Sequence, residues 1–191
     1  MANDVRDRMI KGAGSLLARS GLQATSFSEV LAATGAPRGS LYHHFPNGKD
    51  QLVAAAIDMA GGVLLDFMER RSGDSAEAVT GHFLEIWRTI LTRSECESGC
   101  AVLAVTVAAS SAELLAHATT VFRSWRERLT DLLKRGGVPA ENARRFAIML
   151  IASAEGAVVL SRAEKSLEPF EAVAQHLMEE ARRLQATGAA S

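Results

Sequence analysis

Apolar residues recur at intervals of three and four along most of the chain, which is the spacing of one face of an α-helix. No stretch of useful length shows the alternation of apolar and polar residues that a strand requires. The first helix should end near Ser20-Gly21, because glycine is favoured just after the last turn of a helix. The pattern therefore predicts an all-α protein. The apolar face of the first helix consists of Val5, Met9, Ala13, Leu16 and Leu17.

Two short helices should follow the first one. Ser26 and Glu29 have the spacing of a capping box, and Gly35 ends the helix that they begin. Pro37 suits the first position of the next helix, because its missing N–H would be unpaired there anyway. The run Phe45-Pro46-Asn47-Gly48 should stop this helix after about two turns.

Longer helical patterns fill the rest of the chain and bring the expected total to about nine helices. The turn signals RSGDSAEA and RGGVP separate several of them. Their expected bounds are 49 to about 71, and then about 75–94, 99–110, 112–135, 139–165 and 169–186.

The two short helices are joined by a glycine-containing turn, which is the pattern of a helix-turn-helix unit. The second helix of such a unit enters the major groove of DNA, so it must keep one face apolar and show hydrogen-bond donors on the other. Leu41 and Phe45 supply the apolar face. Gly39 allows close approach to the duplex, and Arg38 has the geometry for a bidentate contact with guanine. This pattern predicts double-stranded DNA as a partner.

The net charge of −1 is unfavourable for DNA binding until the chain is divided. Residues 1–50 contain six basic and four acidic residues, whereas residues 51–191 contain 15 basic and 18 acidic ones. The N-terminal part therefore has the sign that favours contact with phosphates.

Several other classes of protein are disfavoured. The sequence has no nucleophile–base pair, set of four metal ligands or Gly-rich phosphate loop, so we expect no catalytic site, metal or cofactor. The adjacent His43 and His44 diverge by about 100° on a helix and do not converge on one ion. We see no signal segment, and no apolar run approaches the roughly 18 residues of a membrane span, so we expect a cytoplasmic protein without a membrane partner.

The segment TSFSEVLAATGAPRGSLYHHFPNGKDQL resembles the DNA-binding domain of TetR/AcrR-type bacterial transcriptional repressors. Within it, GAPRGSLYHHFPNGK is most similar to the LmrA/YxaF-like subgroup, and ESGCAVLAVTVAAS is a weaker match to that subgroup. The resemblance implies a three-helix DNA-binding domain at residues 1–50 and a ligand-binding and dimerisation domain at 51–191. It also implies a homodimer, in most members a repressor, that binds a palindromic operator and is released by a small hydrophobic or aromatic effector.

Family contact positions carry over to the matching residues of this chain. Thr25, Ser26 and Lys49 correspond to phosphate contacts, while Arg38, Gly39 and Ser40 lie at the entry of the recognition helix. Tyr42, His43 and His44 follow along its exposed side, although Tyr42 also suits a packed aromatic position and the role of His44 is open.

The candidate residues for an effector site combine bulky side chains, aromatic faces and few charges, as the linings of small-molecule cavities do. For each of these residues, packing in the core is an equal alternative. The candidates are Phe83, Trp87, Cys100, Leu103, Phe122, Trp125, Met149 and Ser153. Two other interpretations remain open, namely a DNA-binding dimer without an inducer and one that senses redox state through Cys96 and Cys100.

The helix expected at 139–165 is apolar around most of its circumference, which requires burial on more than one side. A core within one chain is one explanation. Together with the family resemblance, the near-heptad spacing in the last helix favours a four-helix interface between two subunits. The predicted interface residues are Ala152, Gly156, Leu160, Phe170, Val173, Leu177, Ala181 and Leu184.

Overall fold

The computed structural model describes residues 2–70 and 74–189, and every regular element in these ranges is an α-helix, which confirms the all-α prediction. The helices are α1 (Ala2–Ala24), α2 (Phe27–Thr34), α3 (Arg38–His44), α4 (Lys49–Glu69), α5 (Ala76–Arg93), α6 (Ala101–Ala108), α7 (Ala112–Arg135), α8 (Ala140–Glu164) and α9 (Glu168–Ala189).

Local capping explains where the short helices begin and end. Gly21 leaves the helical angles inside α1, with φ 79° and ψ 179°, at the position where the sequence predicted the first helix to end. Gly35 caps α2 with a left-handed φ of 62°, a conformation that glycine adopts without steric cost. Pro37 is the N-cap of α3 and thus lies one position earlier than predicted.

The described residues form two compact units. The first contains the chain up to Val63 together with Cys100–Phe122, and the second contains Leu64–Gly99 together with the chain from Arg123 onwards. The boundary predicted at residue 50 separates a DNA-binding domain from a ligand-binding domain and is not a boundary between compact units. It stays a prediction.

In the first unit, α1 packs against α2, α3 and α6. The core between these helices is apolar and contains the side chains of Met9, Leu17, Val30, Leu41 and Phe45, each at most 1% exposed. Burial of side chains of this size stabilises the fold by roughly 1.5–3 kcal/mol each. The short helices α2 and α3 therefore depend on this packing for their positions.

In the second unit, α5, α8 and α9 pack against one another. Arg88 links α5 to α9. The Nε and Nη2 atoms of Arg88 donate hydrogen bonds to the two carboxylate oxygens of Glu171 at 2.6 and 2.9 Å. Its Nη1 donates to Glu85 at 2.7 Å, and its guanidinium lies 5.8 Å from the centre of the Phe170 ring. The hydrogen bond from Arg88 lowers the pKa of Glu171 below its ordinary value.

Two helices bear on the expectation about membrane spans. Lys49–Glu69 and Ala140–Glu164 are long and apolar enough to cross a bilayer, judged by length and composition alone. Core helices of soluble proteins meet the same criterion, and about 44% of each apolar window is buried inside the protein.

The burial of α9 corrects the interface predicted for its apolar stripe. Phe170, Leu177, Ala181 and Leu184 are at most 7% exposed within a single chain, and Val173 is half-buried. The stripe packs on α5 and α8 of its own subunit, so its near-heptad spacing does not support an interface between subunits.

Candidate DNA interface and effector region

The helix-turn-helix unit consists of α2, the turn at residues 35–37 and α3. Ser26 is the N-cap of α2, and its Oγ accepts a hydrogen bond from the backbone N–H of Glu29 at 3.2 Å. The backbone N–H of Gly35 closes the same helix by donating to the carbonyl of Leu31 at 2.9 Å. Capping at both ends stabilises α2, the two-turn helix that precedes α3 in the unit.

The two faces of α3 differ as the sequence predicted. Leu41 is 1% exposed and Phe45 is completely buried, so both point into the first unit. Tyr42 is 71% exposed, and the edge of its ring lies near the ring of Phe27, with 6.3 Å between centroids. Its hydroxyl-bearing ring is therefore presented to the surface rather than packed in the core.

The other predicted contact residues of α3 form the surface around Tyr42. Arg38, Gly39 and His43 are exposed, while Ser40 and His44 are half-buried. The rings of His43 and His44 lie edge to face, with centroids 4.9 Å apart. An exposed guanidinium, phenol and imidazole on one short helix provide the donors that the edges of bases and phosphates accept. Within residues 2–70 and 74–189, no three His, Cys, Asp or Glu side chains are placed to hold a metal ion.

Two of the predicted phosphate contacts are engaged inside the first unit. Thr25 is 1% exposed, and its Oγ1 donates to the carbonyl of Gly21 at 2.8 Å. The buried hydroxyl corrects the expectation that this side chain faces a phosphate. Lys49 is half-buried, and its Nζ donates to the carbonyl of Leu22 at 2.7 Å. Both side chains hold the end of α1, a role that local sequence patterns did not reveal.

The predicted effector residues separate into several groups. Cys100, Leu103 and Phe122 belong to the first unit, where Cys100 is the N-cap of α6 and its Sγ accepts from the N–H of Leu103 at 3.3 Å. Cys96 and Cys100 are both buried. Cys100 and Leu103 therefore form the start of α6, whereas Phe122 lies within α7.

Five of the effector residues belong to the second unit. Trp87 and Trp125 are 4% and 1% exposed, and their rings lie edge to face at 6.5 Å. Phe83 is also buried, at 1% exposure. Met149 and Ser153 instead line an open groove of about 380 Å³ along α8 and α9, and Met149 is 57% exposed. The second unit therefore has a buried aromatic pair and a separate surface groove.

The indole of Trp87 has a buried donor. Its Nε1 is inaccessible to solvent and finds no acceptor among the described residues of the chain. A buried N–H without a partner costs about 1–3 kcal/mol relative to a satisfied one. An acceptor atom on a small molecule would recover this energy.

The outer face of α8 carries the other predicted interface residues. Ala152, Gly156 and Leu160 are exposed, the last at 51%. Ile148 and Val159 also lie there, 44% and 49% exposed, although the sequence pattern did not assign them to this face. The apolar character of α8 around most of its circumference was the signal that an outer face of this kind exists.

Two family models match the chain. Residues 9–56 match the model for bacterial regulatory proteins of the tetR family. Residues 76–176 match the model for the C-terminal domain of LmrA/YxaF-like transcriptional regulators.

Related proteins match over nearly the whole length. An HTH-type transcriptional regulator of Mycobacterium tuberculosis is 31% identical over 179 residues, covering 90% of this chain and 91% of that protein. The HTH-type transcriptional regulator YxaF of Bacillus subtilis is 28% identical and covers 91% and 93%. The crystal structure of a TetR transcriptional regulator from Chloroflexus aurantiacus has a TM-score of 0.77 at 29% identity and covers 93% and 94%.

Proposed function

Because this chain belongs to the TetR family of bacterial transcriptional regulators, which bind DNA and function as dimers, we propose that it binds a palindromic operator as a homodimer and represses transcription. The observation that carries the proposal is the two-sided character of α3, with Leu41 and Phe45 buried and Tyr42 exposed. The family consists of regulators rather than enzymes. A regulator of this kind works in the cytoplasm.

In this proposal the exposed residues of α3 make different contacts with the DNA. Arg38, at the start of the helix, reads a guanine, and Tyr42 and His43 contact the adjacent backbone or bases. The two α3 helices of a dimer enter successive major grooves, which are about 34–36 Å apart. Ser26 and Lys49 are the remaining candidates for phosphate contacts, so Lys49 would combine such a contact with its bond to Leu22.

We further propose that a small hydrophobic or aromatic effector releases the operator. The functional division would then be a DNA-binding domain at residues 1–50 and a ligand-binding and dimerisation domain at 51–191, with α4 as the continuous helix that follows the boundary. A ligand that shifts α4 changes the spacing of the two α3 helices. To reverse a 99:1 ratio of binding to non-binding conformers, it must prefer the second by about 5.5 kcal/mol.

The buried aromatic pair is the favoured place for the effector. Trp87 and Trp125 supply two aromatic rings in edge-to-face contact, and Nε1 of Trp87 supplies a hydrogen-bond donor for an acceptor on the ligand. This arrangement supports an effector with an apolar body and at least one carbonyl or hydroxyl oxygen.

Selection of bound sequences from a random DNA pool tests the DNA-binding part of the proposal. We expect enrichment of an inverted repeat whose half-sites are about 10 base pairs apart, with affinity that falls steeply with salt. Recovery of sequences without a shared repeat, together with equal affinity for all duplexes, would contradict operator recognition.

A thermal-shift screen tests the effector part. A compound that binds the folded state raises the unfolding temperature by mass action, and a true effector should also release the selected DNA. Trp87→Phe keeps an aromatic ring, although a smaller one, and removes the N–H, so the shift should decrease for compounds with an acceptor. If no compound releases DNA but oxidation does, the alternative based on Cys96 and Cys100 is favoured; if neither does, the dimer acts without an inducer.

A further inference from the structure

Tyr42 is the single tyrosine of the chain, and most of its side chain lies at the surface of α3. Within residues 2–70 and 74–189, its one ring contact is the edge-to-face pair with Phe27, with 76° between the ring planes. Its hydroxyl makes no hydrogen bond to these residues. The contact with Phe27 therefore holds the ring and leaves the hydroxyl open to a partner outside the chain.

Phe27 is itself held at the start of α2 by hydrogen bonds around the N-cap. Oγ of Ser26 accepts from the N–H of Glu29 at 3.2 Å and lies 2.8 Å from Oγ of Ser28. The carbonyl of Ser26 accepts from the N–H of Val30 at 3.0 Å. The side chain of Phe27 is half-buried, and that of Val30, three residues later on the same face, is completely buried. Phe27 is thus a fixed neighbour of an exposed side chain.

An exposed tyrosine in a helix has more than one favourable orientation. Its χ1 angle occupies wells near 180° and −60°, and binding to a partner must select one of them. A neighbouring ring that favours one well in the free protein reduces the entropy that binding costs. The edge-to-face arrangement of Phe27 and Tyr42 is a preferred geometry for two aromatic rings. Contact between the two rings therefore sets the orientation of Tyr42 before DNA arrives.

The place of Tyr42 on α3 makes its orientation important for DNA binding. Tyr42 lies four residues after Arg38, so both exposed side chains share one face of the helix. With Arg38 at a base edge, the phenol lies about one turn further along α3, where its O–H can donate to a phosphate oxygen. Gly39, three residues before Tyr42, has no side chain that could support the ring. The support comes from α2.

We propose that Phe27 is a positioning residue for operator binding, because its ring selects the orientation in which the Tyr42 hydroxyl donates to a phosphate oxygen of the operator. Phe27 acts through Tyr42 and does not contact the DNA. This inference rests on the proposed operator binding. If each pair of rings increases the affinity about two- to threefold, a dimer with two such pairs gains about four- to tenfold.

A double-variant cycle in the full-length protein tests the link between Phe27 and the hydroxyl. Phe27→Leu keeps an apolar side chain and removes the ring, so affinity for the selected operator should fall about four- to tenfold in fluorescence anisotropy. Tyr42→Phe keeps the pair of rings and removes only the hydroxyl. In that background Phe27→Leu should change the affinity less than about twofold, because no hydroxyl remains to be oriented. Phe27→Tyr keeps a ring at this position and should stay within about twofold of the original affinity.

Stability measurements distinguish this role from general support of the fold. Phe27→Leu should lower the urea midpoint by the same amount with and without Tyr42→Phe, because both backgrounds contain the pair of rings. The matched control is Phe67→Leu, which removes a ring stacked on His82 in the second unit, with 3.8 Å between the ring centroids. It should change operator affinity less than about twofold.

The single tyrosine also allows the orientation to be measured without DNA. When tyrosine is the only ¹³C-labelled residue, every labelled ring signal in the NMR spectrum comes from Tyr42. The ring current of Phe27 should displace these signals from the values of free tyrosine. Phe27→Leu should return them toward those values and average the couplings that report χ1.

The outcomes separate this inference from the proposed function. A loss of affinity in Phe27→Leu that disappears in the Tyr42→Phe background, together with displaced tyrosine signals, supports the positioning role. An equal loss in both backgrounds, a Tyr42→Phe variant that binds normally, or tyrosine signals that ignore Phe27→Leu would each overturn it. If an inverted repeat is selected all the same, the DNA-binding function stands without this role. If no repeat is selected, both proposals fail.

Discussion

Lys49 offers a sharp test, because two different roles predict different measurements. Its Nζ donates to the carbonyl of Leu22, which is 27 positions earlier in the chain. Replacement by methionine keeps an unbranched side chain of similar length and removes the charged donor. The carbonyl at the end of α1 then loses this partner, and the attachment of α4 to α1 is weakened.

The size of the effect follows from the geometry of this hydrogen bond. A hydrogen bond to a charged group contributes about 1.5–3 kcal/mol to stability, and partial exposure of Lys49 places the expected loss nearer about 1–2 kcal/mol. For a chain of this length, each kcal/mol lowers the unfolding temperature by about 2–4 °C. We therefore expect Lys49→Met to lower it by about 2–8 °C.

Urea unfolding followed by circular dichroism measures the loss, at one protein concentration because dimerisation adds to stability. Lys11→Met, at an exposed position of α1, is the matched control and should change stability by less than about 0.5 kcal/mol. The salt dependence of operator binding is measured in parallel. Loss of one phosphate contact per subunit lowers the magnitude of its slope by about one per subunit.

The combination of results decides the role of Lys49. A fall in stability with an unchanged salt slope assigns the side chain to structure, and a fall in both assigns it to both tasks. If stability is unchanged while the slope decreases, the amine binds phosphate only. Such a result would show that the hydrogen bond to Leu22 does not stabilise the fold.

Three other substitutions give distinct outcomes. Arg38→Ala should weaken binding to the selected operator by about 1–3 kcal/mol and leave non-specific binding nearly unchanged. Fluorescence anisotropy measures both affinities. Equal losses of affinity for the two DNAs would show that Arg38 contacts only the backbone. Leu177→Glu places a charge at a position that is 3% exposed, so it should destabilise the second unit by about 3–5 kcal/mol in urea unfolding; a stable, helical monomer would contradict this. Glu171 has a lowered pKa, so its ion pair with Arg88 stabilises the fold at pH values above the ordinary carboxyl pKa of 4.5, and this stability is lost as the pH falls through the lowered pKa. Glu171→Gln should therefore reduce the decrease of the urea midpoint at acid pH. An unchanged pH profile would argue against this role of the pair.

The helices could be predicted from the sequence because their signals are local. The predicted bounds of α7, 112–135, agree with the observed Ala112–Arg135. Gly35 ends α2 because a left-handed residue is needed there, and glycine marks that need in the sequence. Leu41 and Phe45 were assigned to the buried face of α3 from their spacing alone, and both are buried.

The partners of particular side chains could not be predicted in the same way. The periodicity of α9 identified Leu177 as buried but did not show whether the surface covering it belonged to the same chain or to another. Thr25 and Lys49 were assigned to phosphates because polar side chains near a recognition helix suit that role. Their actual acceptors, the carbonyls of Gly21 and Leu22, depend on the break in α1 and on tertiary packing.

The seven residues of α3 also have a consequence for local opening. A helix this short is not stable by itself in water, so α3 is ordered mainly by the burial of Leu41 and Phe45. Withdrawal of these two side chains would release its backbone amides to hydrogen exchange at much lower cost than global unfolding. In the proposed complex, an operator that encloses α3 in its groove would prevent this motion. Slower exchange confined to residues 38–45 on addition of DNA would therefore mark the recognition helix without any substitution.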